Sequence, residues 1–278
     1  MNKFDLTVLI PGIRPHNWQK LYDSIGESTT KSFEAIFIGP FKSLEDAGVP
    51  KLELHHVTFL EDWGTPIKCQ QRALTHSQGE WITWAADDGI FLPGALDIGF
   101  NILDEYEGST HKTIILGKYY EGNNPTAYDD IRNMSVDGYY VLNHHHFHVP
   151  GLPTDPNEFP WLPKPSFLLN VGLVTRQVLE EVGGWDAEKF EVCPLAYNDC
   201  SVRLLKHGCS FIMQQELMYQ CSHLPNDQGD HGPVHFAQIE HDEEAFINLY
   251  THPDHEHRLV IDIDNWKSVA DKWDRRFA

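Results

Sequence analysis

The sequence has few of the features that tie a protein to a disulfide framework or to a membrane. Its five cysteines are odd in number, and none of them forms the CxxC spacing of a zinc or redox motif. We therefore expect reduced thiols in a cytoplasmic protein, without a structural zinc site. No apolar run approaches the roughly 18 residues of a membrane-spanning helix, and the first residues do not have the pattern of a signal peptide.

Basic residues are also scarce. The chain has 21 Lys and Arg against 41 Asp and Glu, which gives a formal net charge of -20. Because nucleic acid and anionic membrane surfaces repel such a protein, we do not expect nucleic acid as a partner. The length of 278 residues and the apolar content of 41% suit one large α/β domain, or such a domain with an appendage.

Short apolar runs in the first part of the chain end at glycine or proline and alternate with helical patterns. Strands are predicted at residues 6–10, 33–39 and 54–60, and a helix is predicted at residues 67–77, after a cap-like Gly-Thr-Pro opening. Strands that alternate with helices in this way predict a largely parallel sheet with crossover helices.

One strand of this set ends in adjacent acids. The apolar run at residues 81–86 stops at Asp87 and Asp88, and Gly89 then turns the chain into a new apolar segment. Ligands of open α/β sheets bind at the carboxyl edge of the strands. Carboxylates at that edge can hold a divalent cation, which in turn can hold phosphate. The alternative is a turn in which an aspartate bonds to its own backbone.

Periodicity is lost between residues 119 and 165, where histidines cluster at positions 144, 145, 146 and 148. Such a long irregular stretch is typical of a binding loop, and here it could serve the acceptor or hold a transition metal. The alternative is a partly exposed neutral loop. Strands and helices resume from residue 166 to residue 222.

Residues 223–278 are polar and rich in histidine, with one predicted helix at 234–250. We interpret them as an extension that packs on the domain formed by residues 1–222. His231 and His235 are four positions apart, so they could share one helix face as a metal pair or belong to a solvated face.

Taken in order, six short motifs resemble those of family 2 glycosyltransferases of the GT-A fold, and the likeness covers roughly residues 5–222. The motifs are Thr7-Val8-Leu9-Ile10-Pro11, Thr65-Pro66 through Gln70-Gln71, Gly79-Glu80-Trp81-Ile82, Asp87-Asp88, Gly183-Gly184-Trp185-Asp186, and Asn198-Asp199 with Arg203. The resemblance implies a single, mostly parallel sheet flanked by helices. It also implies metal-dependent transfer of a sugar from a UDP-, GDP- or dTDP-sugar to a glycan or small-molecule acceptor, usually with inversion.

The resemblance assigns roles to the acids. Asp88 would be the direct ligand of Mn²⁺ or Mg²⁺, Asp87 would face the ribose and the metal, and His223 would be a third metal ligand. Asp199 would be the general base that removes the acceptor proton. The alternatives are a surface histidine at 223 and, for Asp199, a first-turn acid with Asn198 as the helix cap.

Further positions would contact the donor. Pro11 and Arg14 follow the first strand, where a guanidinium can pair with phosphate, although an ordinary surface arginine is the alternative. By family position, Trp185 and Asp186 would contact the donor or acceptor sugar. The assignments of Trp185 and Asp186 follow from the resemblance alone.

The sequence departs from the family in two places. Residues 38–40, Ile-Gly-Pro, stand where acids usually contact the nucleobase. Residues 70–71, Gln-Gln, replace the usual Arg-Asn, so we expect that the diphosphate contact moves to Lys68 or Arg72.

Two other functions fit parts of the pattern. A sugar-phosphate nucleotidyltransferase would need a glycine-rich loop near residue 12, where this chain has one glycine. A non-catalytic sugar- or protein-binding module would keep the same fold. Asn198, which stands in place of an acid, is compatible with this alternative function.

Overall fold

The structure is a computed structural model that describes residues 3–49, 56–121, 171–221, 229–251, 258–268 and 272–277. Within these ranges the chain forms an eight-stranded sheet with helices on both faces. Each of the helices described is too short or too polar to cross a bilayer.

The sheet has the strand order β3-β2-β1-β4-β7-β6-β8-β5. Its strands are β1 (Phe4–Pro11), β2 (Phe33–Gly39), β3 (Val57–Glu61), β4 (Gly79–Trp84), β5 (Gly89–Phe91), β6 (Thr113–Glu121), β7 (Gly172–Thr175) and β8 (Ser210–Cys221). Strand β1 pairs in parallel with β2 and β4, β2 with β3, and β6 with β8. The pairs β4–β7, β6–β7 and β5–β8 are antiparallel. The predicted α/β fold with a single, mostly parallel sheet is confirmed.

Seven α-helices accompany the strands within the described ranges. They are α1 (Trp18–Ser28), α2 (Pro66–His76), α3 (Ala95–Glu105), α4 (Arg176–Val182), α5 (Cys193–Lys206), α6 (His231–Ala237) and α7 (Glu243–Thr251). A π-helical turn, Gln238–Asp242, joins α6 to α7.

Local sequence explains where the helices begin and end. The Thr65 hydroxyl accepts a hydrogen bond from the Lys68 backbone N–H at 3.2 Å, and Pro66 occupies the first turn of α2. Helix α4 ends at Gly183, whose φ of 85° lies in the left-handed region that glycine tolerates best. The predicted boundaries of α2 are therefore accurate to about one residue.

Alternating side chains of the parallel strands build two apolar layers. Leu9 and Ile36, paired across β1 and β2, face the layer that contains α2, α4 and α5. Val8 and Phe37 face the opposite layer, which contains α1 and α3. This alternation follows from the two-residue period of a strand and covers both faces of the sheet.

The described segments after residue 229 pack against the rest of the protein. The Ile261 N–H donates to the Val182 carbonyl at 3.2 Å, and the Trp273 N–H donates to the Trp63 carbonyl at 2.8 Å. These contacts agree with an extension that lies on the main domain, while a domain boundary at residue 222 stays a prediction.

A buried ion pair on α5 links this extension to the interior. Asp199 and Arg203 are 0% exposed, and Arg203 Nη2 lies 2.9 Å from Asp199 Oδ2. Tyr250 Oη donates to Asp199 Oδ1 at 2.7 Å, and Arg258 Nε donates to the same atom at 3.1 Å. Burial favours the neutral acid, but the two arginines outweigh it and lower the pKa of Asp199. The carboxylate is thus ionised and fully occupied inside the protein.

We predict that Asp199→Asn lowers the free energy of unfolding by about 3–5 kcal/mol, because Arg203 loses its counter-charge in a buried position. Urea denaturation measures this. The control is Glu180→Gln, which breaks the exposed i,i+4 pair of Arg176 and Glu180 and costs about 0.5 kcal/mol or less. Equal losses in the two variants would contradict the structural role of Asp199.

Candidate functional site

A cavity of about 460 Å³ lies at the carboxyl ends of β1 and β4. Its floor is formed by the strand ends, its sides by the first turns of α2 and α5, and its cover by α6. The carboxyl edge of parallel strands is where α/β proteins bind ligands. Pro11, Arg14, Asp87 and Asp88, four of the residues predicted from the sequence, line this cavity.

Asp87 anchors the loop that follows β1. Its Oδ2 accepts from the backbone N–H groups of Ile13 at 2.7 Å and Arg14 at 2.5 Å, and from Trp18 Nε1 at 3.1 Å. Its Oδ1 accepts from Arg14 Nη1 at 2.6 Å. Both oxygens of this 2% exposed carboxylate are therefore engaged within the protein. Its predicted contacts with ribose and metal stay predictions.

Two glycines allow the loop to approach this closely. A Cβ on Gly12 would lie 2.8 Å from Trp18 Nε1 and 3.1 Å from Asp87 Oδ2. A Cβ on Gly39 would lie 2.1 Å from the Gly12 carbonyl oxygen. The Ile-Gly-Pro sequence that departs from the family therefore has a packing reason, since only glycine fits at its centre.

Asp88 differs from its neighbour because one of its oxygens is available. Oδ2 lies 3.3 Å from His231 Nε2 and 3.8 Å from Arg14 Nη1. Oδ1 is buried and has no hydrogen-bond partner among the described residues. A buried carboxylate oxygen without a partner is the expected state of an atom that a ligand or a cation completes.

The residue that precedes α6, Asp230, brings a third acid into this corner. Arg14 Nε donates to Asp230 Oδ2 at 2.6 Å, so the guanidinium bridges Asp87 and Asp230. Burial opposes ionisation of Asp230, but the hydrogen bond and charge of Arg14 outweigh it and lower the pKa of this carboxyl. The hydrogen bond to Asp88 is the main reason that the pKa of His231 is raised.

The part of the described lining that α2 and α5 contribute is neutral. It includes Gln70 on α2 and Tyr197 on α5, whose hydroxyl donates to Gln70 Oε1 at 2.8 Å. Trp273 and Arg276, from the segment 272–277, also line the cavity. Arg276 is fixed there because Nη1 donates to the Asp62 carbonyl at 3.2 Å.

The predicted diphosphate contacts lie away from the cavity. Lys68 is buried but does not line it. Arg72 points to the other side of α2, where Nη1 donates to the Glu61 carbonyl and to Asp62 Oδ2, both at 2.8 Å. The structure thus places Arg14, rather than Lys68 or Arg72, beside the acids.

Three more predicted residues are also absent from the lining. Trp185 is 1% exposed and packs edge-to-face on Trp84, with ring centroids 5.0 Å apart. Asp186 caps its own turn through the Glu188 N–H and pairs with Arg258. Asp199 sits in the interior ion cluster. The general base expected at this position is therefore held away from the cavity by its own arginine partners, and we do not retain it.

The remaining predicted residues lie outside the described ranges. They are His223, proposed as a metal ligand, and the histidines at 144, 145, 146 and 148. His231 and His235 do share a face of α6 and both line the cavity. The described residues contain no group of three or more His, Cys, Asp or Glu side chains that would hold a metal alone.

Several lining residues were missed by the sequence reasoning. Tyr197 and Pro194 are three apart, as are Arg276 and Trp273, so helical spacing could have placed each pair on one face. Asp230 offers no such signal, since its partner Arg14 is 216 positions away.

No family profile and no curated protein matches the sequence. The fold is similar to solved structures of S. aureus TarS. A crystal structure of TarS matches with a TM-score of 0.51 and 12% identity, covering 87% of this chain and 41% of that one. TarS 1-349 in complex with UDP matches with a TM-score of 0.52 and 11% identity, covering 91% of this chain and 77% of that one. Its complex with UDP-GlcNAc matches with a TM-score of 0.50 and 11% identity, covering 82% of this chain and 60% of that one. The present chain thus spans about two fifths of TarS, and the likeness is one of fold.

We predict that Asp88→Asn lowers the pKa of His231 towards its ordinary value, because the hydrogen bond to Asp88 is the largest cause of the shift. NMR titration of the imidazole measures this. Since the folded pKa is raised, the ion pair contributes stability below about pH 6.5 and loses it as the pH rises through the folded pKa.

The control for this titration is Asp230→Asn. It removes a charge from the same corner, yet Asp230 contributes less than Asp88 to the His231 shift. A shift as large as that of Asp88→Asn would contradict the pairing of His231 with Asp88.

Proposed function

We propose that the protein is a glycosyltransferase that takes a sugar from a UDP-sugar donor. The observation that supports this most directly is the free Asp88 Oδ1 beside Arg14, in a cavity at the carboxyl ends of parallel strands. The similarity in fold to TarS, which has been crystallised with UDP and with UDP-GlcNAc, supports the choice of donor.

The charges in the corner support metal dependence. One guanidinium, that of Arg14, faces the carboxylates of Asp87, Asp88 and Asp230. The corner is therefore negative even when His231 is protonated, because three carboxylates then face two cations, and it would repel a diphosphate by Coulomb's law. A divalent cation between the carboxylates and the phosphates would reverse that repulsion.

The residues present fit such a cation. Mg²⁺ in proteins is commonly held by one or two carboxylates and completed by substrate phosphates, and Asp88 Oδ1 offers one carboxylate oxygen. His231 would be a second ligand more suited to Mn²⁺. When bound, the cation would neutralise charge on the departing nucleoside diphosphate.

Direct displacement of the diphosphate, with inversion at the sugar, needs a group that accepts the acceptor's proton. Because Asp199 lies in the interior, we assign this role to the imidazole of His235, which lines the cavity. It has no carboxylate partner among the described residues, unlike His231, which bonds to Asp88. A placed base of this kind contributes on the order of 10²–10⁴-fold to the rate.

We predict that Mn²⁺ strengthens binding of UDP to the wild-type protein at least tenfold. Asp88→Asn is expected to remove this gain without weakening metal-free binding, because the variant repels the diphosphate less. Isothermal titration calorimetry with and without Mn²⁺ measures both. The matched control is Asp104→Asn on the exposed face of α3. If Mn²⁺ has no effect on the wild type, or if Asp88→Asn keeps the full effect, the metal role of Asp88 is wrong.

A second candidate function is a binding module without transfer activity, which the interior position of Asp199 favours. Release of UDP from UDP-sugars in the presence of candidate acceptors separates the two. For a transferase, we predict that His235→Gln lowers kcat at least tenfold and leaves donor affinity intact. Donor binding without any turnover in the wild type would favour the binding module.

A further inference from the structure

A hydrogen-bond donor in the neutral wall of the cavity has no partner. The side chain of Gln70 is 1% exposed and lines the cavity, and its Nε2 makes no hydrogen bond to any described residue. Most buried polar atoms in folded proteins are paired, because an unmade hydrogen bond is costly. The amide is therefore ready to donate to a ligand in the cavity.

The orientation of this amide is fixed by Tyr197. The tyrosine hydroxyl donates to Gln70 Oε1 at 2.8 Å, which fixes the oxygen end of the amide, while Nε2 has no partner among the described residues. The Tyr197 ring itself packs against Trp84 and Trp185, with ring centroids 5.5 and 6.3 Å away. This packing leaves the pair little freedom to rearrange.

The surroundings of the amide indicate what it would bind. Pro66 lies one turn before Gln70 on α2, and Pro194 lies one turn before Tyr197 on α5. The part of the described lining that belongs to α2 and α5 contains no Lys, Arg, Asp or Glu. The partner is thus a neutral group with a hydrogen-bond acceptor and an apolar part, rather than a phosphate.

We propose that Gln70 Nε2 donates to the acyl carbonyl of an N-acylated donor sugar, so that the protein selects an N-acetylhexosamine nucleotide over the plain hexose. This rests on the proposed function. A carbonyl only accepts, and its methyl group suits the proline and tryptophan wall. A sugar hydroxyl can also accept from Nε2, but it has no methyl group to fill the apolar part of the wall, so the acyl group is the better match.

Calorimetric titrations of UDP, UDP-glucose and UDP-GlcNAc in the presence of Mn²⁺ test this. The wild type is expected to bind UDP-GlcNAc at least tenfold more tightly than UDP-glucose. Gln70→Met removes the donor at similar volume, so it is expected to abolish that preference while leaving the affinities for UDP and UDP-glucose unchanged. Gln70→Glu, which accepts but does not donate at neutral pH, is expected to do the same.

The matched control is Gln78→Met, at an exposed glutamine just after the same helix, which should behave as the wild type. Unchanged affinity for UDP shows that a variant is folded. If both Gln70 variants lose their affinity for UDP, the proposal is judged by the wild-type preference for UDP-GlcNAc over UDP-glucose. Equal wild-type affinities for the two sugars, or equal weakening of both by Gln70→Met, would overturn the assignment of Gln70 alone. Absence of UDP binding to the wild type would instead refute the proposed function, and the inference with it.

Discussion

Four hydrogen bonds into one buried carboxylate, that of Asp87, hold the charged corner of the cavity together. A carboxylate with 2% exposure is stable as an anion only when donors and a counter-charge replace its water. The backbone after β1 supplies two of those donors, and Arg14 supplies the charge. The path of the loop from β1 to α1 and the position of the Arg14 guanidinium therefore depend on Asp87, which follows β4.

The described lining of the cavity has a charged part and a neutral part, which match the two parts of the proposed nucleotide-sugar donor. The charged part has Asp88 and Arg14 beside the α6 imidazoles and suits a diphosphate with its cation. The other has the Gln70 amide and the Tyr197 ring and suits a neutral sugar substituent. Within the described lining, the part that belongs to α2 and α5 offers hydrogen bonding and apolar surface rather than charge.

Features of the fold that depend on neighbouring residues could be predicted from the sequence, whereas contacts between distant parts of the chain could not. Strand β4 and the two acids that follow it, Asp87 and Asp88, could be predicted, because an apolar run that stops at acids is a local pattern. Asp199 was misplaced, although Arg203 four residues later already indicated an intrahelical pair. The Arg14–Asp230 pair spans 216 positions, and no periodicity in a single sequence reports such a contact.

That same long-range pair limits how the protein can be recombined. Arg14 is balanced by acids from two distant parts of the chain, Asp87 and Asp230. A chimera that exchanges only the β1–α1 loop would leave Asp87 and Asp230 without the guanidinium that they share, at the edge of the cavity. The β1–α1 loop and the start of α6 are therefore best exchanged together.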